Sequence, residues 1–334
     1  MNIKDVGEFG LIDIIKRLCE SEENSDLVAG IGDDAAVIKG GRPSASLVST
    51  DMLIEGVHFN LDYTSPHHLG EKSVSVNVSD IAAMGGTPVW ALLSLGLPEE
   101  TALDFVEEFS AGAAKAFRSY GIKLIGGDTV SSKSGIIISL TLLGEAPVER
   151  IIRRNGAADG DQIFVTGTLG DSALGLEILK RGIREDSAEP EIRKLIERHI
   201  SPMPRLKESN FIAQRRIATS MIDVSDGLIQ DLSHICRESG VHGKVLIDRI
   251  PLSEESRKNG NKFGFGIEDY IVGGEDYELL FTVPLEKVEE LDQLEKATGC
   301  PVTHIGEIVE GEGVDIYDSL NNPITLKKKG YVHF

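Results

Sequence analysis

Residues 66–97 read PHHLGEKSVSVNVSDIAAMGGTPVWALLSLGL, a helix signal followed directly by a strand signal. The pattern predicts a helix over 66–85, which stops at the Gly85-Gly86 pair, a common helix end. The apolar run over 89–97 predicts a strand. Because a helix feeds a strand across so short a turn, this stretch favours a fold that mixes both elements.

Helix and strand patterns alternate on both sides of this stretch. A helix is predicted over 8–20 from apolar residues at helical spacing. Further helices are predicted over 99–118, 171–181, 189–199, 204–216, 226–238 and 285–297, and strands over 45–50, 122–126, 136–145, 162–167, 218–223, 244–248, 302–309 and 313–317. The order does not read as a regular β-α-β winding, so the predicted class is mixed α/β (α+β) and the topology stays open.

The length of the chain predicts two domains. Its 334 residues exceed what one hydrophobic core usually serves. Residues 147–160 are charged and rich in turn formers, and a new strand pattern follows them. We therefore expect an N-terminal domain over 1–148 and a C-terminal domain over 149–334.

Composition excludes several classes of protein. A net charge of −20 argues against nucleic-acid binding, which needs Lys and Arg at the phosphates. The chain has no apolar run of about 18 residues, so no membrane span is expected. Cys19, Cys236 and Cys300 lie far apart without C-x-x-C spacing, and the first residues do not resemble a signal peptide. A reducing, cytoplasmic location is expected.

Aspartates recur at glycine-rich or strand-end positions. They lie in GIGDDAAV (30–37), STDMLIEGVHF (49–59), NVSDIAAMGG (77–86), LIGGDTV (124–130) and IDVSDGL (222–228). Carboxylates that converge without an equal number of cations repel one another, and a hard divalent cation relieves that repulsion. Magnesium prefers such oxygen ligands and usually also holds substrate phosphates, so the set predicts a magnesium–phosphate site.

Each aspartate also has an ordinary structural explanation. Asp226 precedes a predicted helix and is equally well explained as its N-cap. Asp33 follows a glycine and fits a simple turn. Asp80 is the hardest to explain this way, because it stands mid-helix among small apolar residues, where an unpaired carboxylate is costly. Lys72, Val76 and Asp80 recur every four residues and share one helix face.

Known nucleotide-binding motifs are missing from the sequence. Neither G-x-x-x-x-G-K-[ST] nor G-x-G-x-x-G after a strand occurs, which excludes a P-loop and a dinucleotide fingerprint. H-R-D and D-F-G are also missing, which excludes the protein-kinase pattern. Glycine pairs such as Gly126-Gly127 and Gly273-Gly274 still allow backbone amides to approach anionic oxygens.

Other candidates are less specific. His58 could contact a substrate phosphate or ring, or be a surface histidine. Arg153-Arg154 could bind a phosphate or be a solvated pair. GGEDYEL (273–279) is an ordinary turn composition as well as a plausible substrate loop, and Tyr331 has no case from spacing alone.

Taken in order, the motifs resemble those of the bacterial thiamine-monophosphate kinase family. They are GEFGLID, GIGDDAA, STDMLIEGVHF, KSVSVNVSDIAAMGGTP, LIGGDT, VTGTLGDSALGL, IDVSDGLIQDL, GGEDYEL and KKGYVHF. The match runs from residue 7 to residue 334. The resemblance implies a two-domain aminoimidazole ribonucleotide synthetase-like fold whose N-terminal domains pair in a homodimer. It also implies that ATP binds with several Mg²⁺ ions in a cleft without a P-loop.

The resemblance also assigns roles to residues. The implied metal ligands are Asp34, Ser49, Thr50, Asp51, Asp80, Asp128, Asp223 and Asp226. The implied ATP contacts are Tyr120, Gly127, Asp128, Arg154 and Ser225. The implied substrate contacts are His58, Glu275 and Tyr331. The implied reaction is direct, magnesium-assisted, in-line transfer from ATP to thiamine monophosphate, giving thiamine diphosphate. The phosphate acceptor is already largely ionised, so no separate general base is expected.

Two other hypotheses remain at this stage. The first is another activity of the same superfamily, such as aminoimidazole ribonucleotide or selenophosphate synthesis. Cys19 is predicted to lie mid-helix and the sequence ends in YVHF, which fits poorly with the relatives that use a reactive cysteine. The second is an acidic protein that binds nucleotide and metal without turnover, and the intact aspartate set argues against it.

Overall fold

The computed structural model describes residues 27–29, 33–39, 44–326 and 330–331. The helix predicted over 8–20 lies outside the described residues, as do Gly30 and Gly32. None of the helices within the described ranges is long and apolar enough to cross a membrane.

The first half of the described chain builds a six-stranded sheet with two helices on one face. The strands are β1 (Leu27–Ala29), β2 (Ala36–Lys39), β3 (Ser44–Ile54), β4 (Thr87–Leu97), β5 (Lys123–Ser131) and β6 (Ile137–Pro147), and the helices are α1 (Pro66–Ala83) and α2 (Leu103–Tyr120). The order across the sheet is β1-β2-β3-β6-β4-β5. Only β4 and β5 pair in parallel; the other described pairs in this sheet are antiparallel.

Helix α1 is the central element of the molecule. Its N-terminus is capped by Ser65, whose Oγ accepts a hydrogen bond from the His68 N–H at 3.2 Å. It packs closely on α2, because a Cβ at Gly70 would overlap the carbonyl of Phe109 and one at Gly112 would overlap the carbonyl of His67. The helix is buried on nearly every side, which places any polar residue on it in contact with other elements.

The second half builds a seven-stranded sheet of order β13-β12-β9-β11-β7-β10-β8. Its strands are β7 (Gln162–Thr166), β8 (Ser220–Asp223), β9 (His242–Leu246), β10 (Leu279–Val283), β11 (Val302–Val309), β12 (Gly313–Tyr317) and β13 (Pro323–Ile324). Its helices are α3 (Asp171–Lys180), α4 (Pro190–Ile200), α5 (Leu206–Arg215), α6 (Leu228–Ser239), α7 (Glu254–Asn259), α8 (Ile267–Val272) and α9 (Leu291–Thr298). The pair β9–β12 is parallel.

Most predicted elements are present, with shifted ends. The helix predicted over 285–297 is a 3-10 helix at Leu285–Glu290 followed by α9. Strand β10 was not predicted. All five of its residues are buried, so it lacks the alternation that marks a strand with one solvent face.

The two halves meet over α1. The Ser79 Oγ on α1 donates to the Asp223 carboxylate at 2.6 Å, and the Ser209 Oγ on α5 donates to the carbonyl of Ala82. Tyr277, which follows the second glycine pair, is buried in a hydrophobic cluster of the first half. The ends of several strands and loops from both halves are thereby placed beside one face of α1.

Candidate active site

A cleft of about 1190 Å³ runs between the two halves. Its lining includes the following residues predicted from sequence: Asp34, Ser49, Thr50, Asp51, His58, Asp80, Arg154, Asp223, Ser225, Asp226, Glu275 and Tyr331. A volume of this size accommodates ligands well beyond a single ion.

Three carboxylates from different elements converge in the cleft. Asp34 precedes β2, Asp80 lies near the end of α1, and Asp223 is the last residue of β8. Each offers an oxygen, and these atoms all lie within 4.8 Å of one another. Only the long-range packing of both halves on α1 makes this possible.

The cluster is electrostatically strained. Loss of solvent, together with Asp51, Asp223 and Asp34, raises the pKa of Asp80 well above its usual value. The same burial, with Asp34 as the main charged neighbour, raises the pKa of Asp223 to about 8. Burial and the charges of Asp34 and Asp226 raise that of Asp51 to about 6. A buried set of hard oxygen donors with excess negative charge fits Mg²⁺.

Neighbouring residues of β3 face opposite sides of the sheet. Ser49 is buried toward α1, and its Oγ donates to the Asp80 carboxylate. Thr50 is exposed on the other face, where its Oγ1 lies 3.0 Å from the Thr141 Oγ1. Because strand side chains alternate, only Ser49 and Asp51 present their side chains to Asp80. Thr50 can contribute at the cluster only through its main chain.

Arg154 is a cation at the edge of the cluster. Its Nη2 donates to the Asp34 Oδ1 at 2.8 Å and its Nε to the Asp34 Oδ2 at 3.2 Å. Burial disfavours the charged guanidinium, but Asp34 more than offsets this and raises the pKa of Arg154. The Asp33 carboxylate accepts from the Arg154 backbone N–H at 2.9 Å, so the turn residue also positions this cation.

The loop after β8 is held by a residue that sequence reasoning missed. The backbone N–H groups of Ser225, Asp226 and Gly227 all donate to the Asp231 Oδ2, at 3.1, 3.2 and 3.1 Å. Helix α6 begins after Gly227, so Asp226 is not its N-cap. The sequence signal that could have identified Asp231 is an acidic residue one turn into a helix that follows a D-x-x-D-G loop, here residues 223–227.

The far side of the cleft holds the predicted substrate contacts. The His58 Nδ1 accepts from the Ile54 N–H at 3.0 Å, which fixes the ring. The Tyr331 N–H donates to the Asp226 carbonyl at 2.9 Å, so this residue lies against the loop after β8. Glu275 pairs with Lys72, whose Nζ lies 2.9 Å from the Glu275 Oε1.

Three predicted contacts lie away from the cleft lining. The Tyr120 OH, at the end of α2, is 3.3 Å from the Ser75 Oγ. Gly127 and Asp128 lie on β5, an edge strand that is exposed along its length. Asp128 on β5 pairs with Ser94 on β4. Because β4 and β6 lie between β5 and β3 in the sheet, Asp128 is three strand spacings, about 14 Å, from β3. Within one chain these residues do not join the carboxylate cluster.

Gly127 also has a structural explanation. A Cβ at this position would overlap the carbonyl of Leu93 on the neighbouring strand, so the close pairing of β4 and β5 requires glycine here. Its predicted contact with ATP stays a prediction.

Comparison with known proteins places this geometry in a family. A family model described as AIR synthase related protein, N-terminal domain, matches residues 32–146, and its C-terminal counterpart matches residues 158–319. A thiamine-monophosphate kinase of Aquifex aeolicus (strain VF5) is 41% identical over 335 residues, covering 100% of both chains. The chain belongs to the thiamine-monophosphate kinase family. A thiamine-monophosphate kinase of Salmonella typhimurium (strain LT2) is 39% identical, covering 98% of each chain.

A solved thiamine-monophosphate kinase relative shares the whole fold. The structure described as AaThiL complexed with AMPPCP and TMP is 40% identical, covers 100% of this chain and 99% of that chain, and has a TM-score of 0.88. The family predicted from the ordered motifs is therefore confirmed. The predicted mixed α/β, two-domain aminoimidazole ribonucleotide synthetase-like fold is confirmed as well.

Proposed function

We propose that this protein transfers the γ-phosphoryl group of ATP to thiamine monophosphate, giving thiamine diphosphate. The observation that carries the proposal is the convergence of Asp34, Asp80 and Asp223 within 4.8 Å in a cleft large enough for two substrates. The thiamine-monophosphate kinase relatives, and the relative bound to AMPPCP and TMP, support the choice of substrates. The reaction is the last step of thiamine diphosphate formation.

The chemistry is mainly electrostatic. The acceptor is a phosphate monoester whose second pKa is about 6, so its oxygen is already a nucleophile at neutral pH. Two anions must approach in line, and Mg²⁺ held by the cluster supplies the neutralising charge when it is bound. Asp51 and Asp226 lie beside the cluster and extend the donor set to further ions. Arg154, which donates to Asp34 of the cluster, is expected to add positive charge at the transferred group.

We assign the two substrates to opposite sides of the cleft. ATP is expected on the side of Arg154 and Ser225, and the acceptor on the side of His58, Glu275 and Tyr331. Transfer is direct, with no phosphoenzyme. Protein incubated with γ-labelled ATP and then denatured should therefore carry no label, and stoichiometric label on the protein would contradict direct transfer.

We propose a homodimer of N-terminal units, with the chain dividing into 1–148 and 149–334. Strand β4 and the edge strand β5 carry exposed apolar side chains, including Leu92, Leu124 and Ile125. Exposed apolar surface at a sheet edge is a common feature of interfaces. Pairing there would also change the surroundings of Gly127 and Asp128. We place the enzyme in the cytoplasm, where ATP is available and buried thiols such as Cys236 and Cys300 stay reduced.

The proposal is tested by mixing the protein with ATP, Mg²⁺ and thiamine monophosphate and separating the products by chromatography. Thiamine diphosphate should form only with the metal. Asp80→Asn should lower kcat by about 100-fold or more, because mutating even a residue that only supports a metal ligand lowers activity by up to that factor. Asp104→Asn, on the exposed start of α2, is the matched control. ATP binding without thiamine diphosphate formation would overturn the assigned acceptor.

A further inference from the structure

A lysine is fully buried next to the cleft. Lys72 lies on α1, two turns before Asp80 and on the same helix face, and is 1% exposed. It has almost no exposed surface and does not line the cleft, whereas its partner does. A charged group in such a position is tolerated only when it is paired, since desolvation costs several kcal/mol.

The partner of this lysine faces the cleft. The Lys72 Nζ lies 2.9 Å from the Glu275 Oε1, and the other carboxylate oxygen lies 3.2 Å from the Nδ1 of His199 on α4. That same Nδ1 is 3.1 Å from the Ser172 Oγ on α3. Two helices, one from each half of the chain, therefore converge on this carboxylate, and a third helix holds the histidine.

The main chain at Glu275 is constrained as well. Its φ is +66°, a region that side-chain-bearing residues seldom adopt, and its N–H donates to the Ser225 carbonyl at 2.8 Å. Strain of this kind persists only where the surroundings hold it, and it is concentrated at functional sites. The carboxylate keeps further lone pairs that can accept hydrogen bonds from the cleft.

The charge balance supports a carboxylate that is ionised. Burial alone would raise the pKa of Glu275, but the Lys72 ammonium reverses this and holds it below the usual value. Burial lowers the pKa of His199 to about 3, so this ring is neutral near pH 7. Among the residues that the structure describes, the other titratable groups that interact with Glu275 include His58, Tyr63 and Tyr277.

We propose that Lys72 is a positioning residue for the phosphoryl acceptor: its ion pair holds Glu275 in one orientation, as an acceptor for N–H donors of a heterocyclic amine. This inference rests on the proposed function, because thiamine monophosphate carries such an amino group on its pyrimidine ring. Lys72 acts through Glu275 and does not contact the substrate. Specificity for the acceptor therefore depends on a residue hidden behind the cleft wall.

The test separates the acceptor from ATP. Lys72→Met should raise KM for thiamine monophosphate by roughly 10-fold, the factor that corresponds to loss of one charge-assisted hydrogen bond. KM for ATP should change by less than about 2-fold, and calorimetric binding of thiamine monophosphate alone should weaken in parallel. Lys115→Met is the matched control, since Lys115 is exposed and pairs with Glu71. If Lys72→Met melts below the assay temperature, Lys72→Gln replaces it under the same criteria.

A double variant that removes both charges provides the second part of the test. In Lys72→Met with Glu275→Gln, the amide oxygen still accepts a hydrogen bond and no unpaired charge is buried, so KM for the acceptor should recover towards the wild-type value. An unchanged KM for thiamine monophosphate in Lys72→Met would overturn the inference. So would a fall in kcat accompanied by equal rises in KM for both substrates. So would a double variant no better than Lys72→Met. Failure of the wild-type enzyme to use thiamine monophosphate would instead overturn the proposed function.

Discussion

At the scale of single residues, the site depends on which face of a strand or helix a side chain occupies. Ser49 and Thr50 are neighbours with similar side chains, yet only Ser49 reaches the Asp80 carboxylate. Both were predicted as metal ligands on equal terms. The structure gives them different means of contributing, through a side chain for Ser49 and through the main chain for Thr50.

We therefore expect Ser49→Ala and Thr50→Val to behave differently. Loss of the Ser49 hydroxyl removes a donor to Asp80 and should raise the Mg²⁺ concentration needed for half-maximal rate by about 10-fold. Thr50→Val keeps the shape and the main chain, and should change it by less than about 2-fold. A magnesium titration of the initial rate measures both, and equal losses would show that the Thr50 side chain does reach the metal.

At the scale of elements, loops are held in place by side chains some distance along the chain. The Asp231 carboxylate on α6 accepts three consecutive N–H groups from the loop after β8. Burial raises the pKa of Asp231 well above its usual value, and the nearby Asp226 and Asp223 charges add to this. The geometry of Ser225 and Asp226 thus depends on a residue that does not line the cleft.

Asp231→Ala should disorganise this loop, because three backbone donors lose their acceptor. We expect kcat/KM for ATP to fall by about 10-fold to 100-fold, with Asp231→Asn intermediate since it keeps one acceptor oxygen. Glu238→Gln, on the exposed end of the same helix, is the control. Steady-state kinetics with varied ATP decides the matter, and full activity in Asp231→Ala would show that the loop is held by other contacts.

At the scale of the whole molecule, the exposed apolar side chains of β4 and β5 predict self-association. A charge placed in an apolar interface between copies is strongly unfavourable, so Ile125→Glu should shift the protein from dimer to monomer. Lys133→Glu, outside β5, should leave the mass unchanged. Light scattering coupled to size-exclusion chromatography measures the mass, and a wild-type monomer at micromolar concentration would contradict the dimer.

The acidic cluster also sets how stability depends on pH. Asp51 and Asp223 have folded-state pKa values of about 6 and about 8, above the unfolded value of 3.8. The folded chain therefore binds protons more tightly than the unfolded chain. Their contribution to stability is present in full below pH 3.8 and is lost as the pH rises through about 6 to 8.

Mg²⁺ should reverse this loss. We expect it to raise Tm by about 2–5 °C at pH 8 and by much less at pH 5.5, where the carboxylates are partly protonated and protons compete with Mg²⁺ for them. Thermal melts of metal-free protein with and without Mg²⁺ at both pH values provide the measurement. Asp80→Asn should abolish most of the increment, and an equal increment at both pH values would contradict the assignment.

The sequence predicted much of the local structure and missed particular kinds of element. Helix α1 and strand β4 follow from apolar spacing and the Gly85-Gly86 stop. Strand β10 does not, because a fully buried strand shows no alternation. Asp231 was missed because an aspartate in the first turn of a helix is an ordinary choice, and only the fold shows what it accepts from.

What the sequence alone determined is the family, the mixed α/β class and the identity of the aspartates, since ordered motifs and local periodicity survive without coordinates. The tertiary structure decided which of those side chains meet. Asp34, Asp80 and Asp223 converge, Thr50 turns away, and Lys72 finds Glu275 across both halves of the chain. The physical reason is that spacing reports local backbone geometry, whereas contacts between distant segments depend on how whole elements pack around α1.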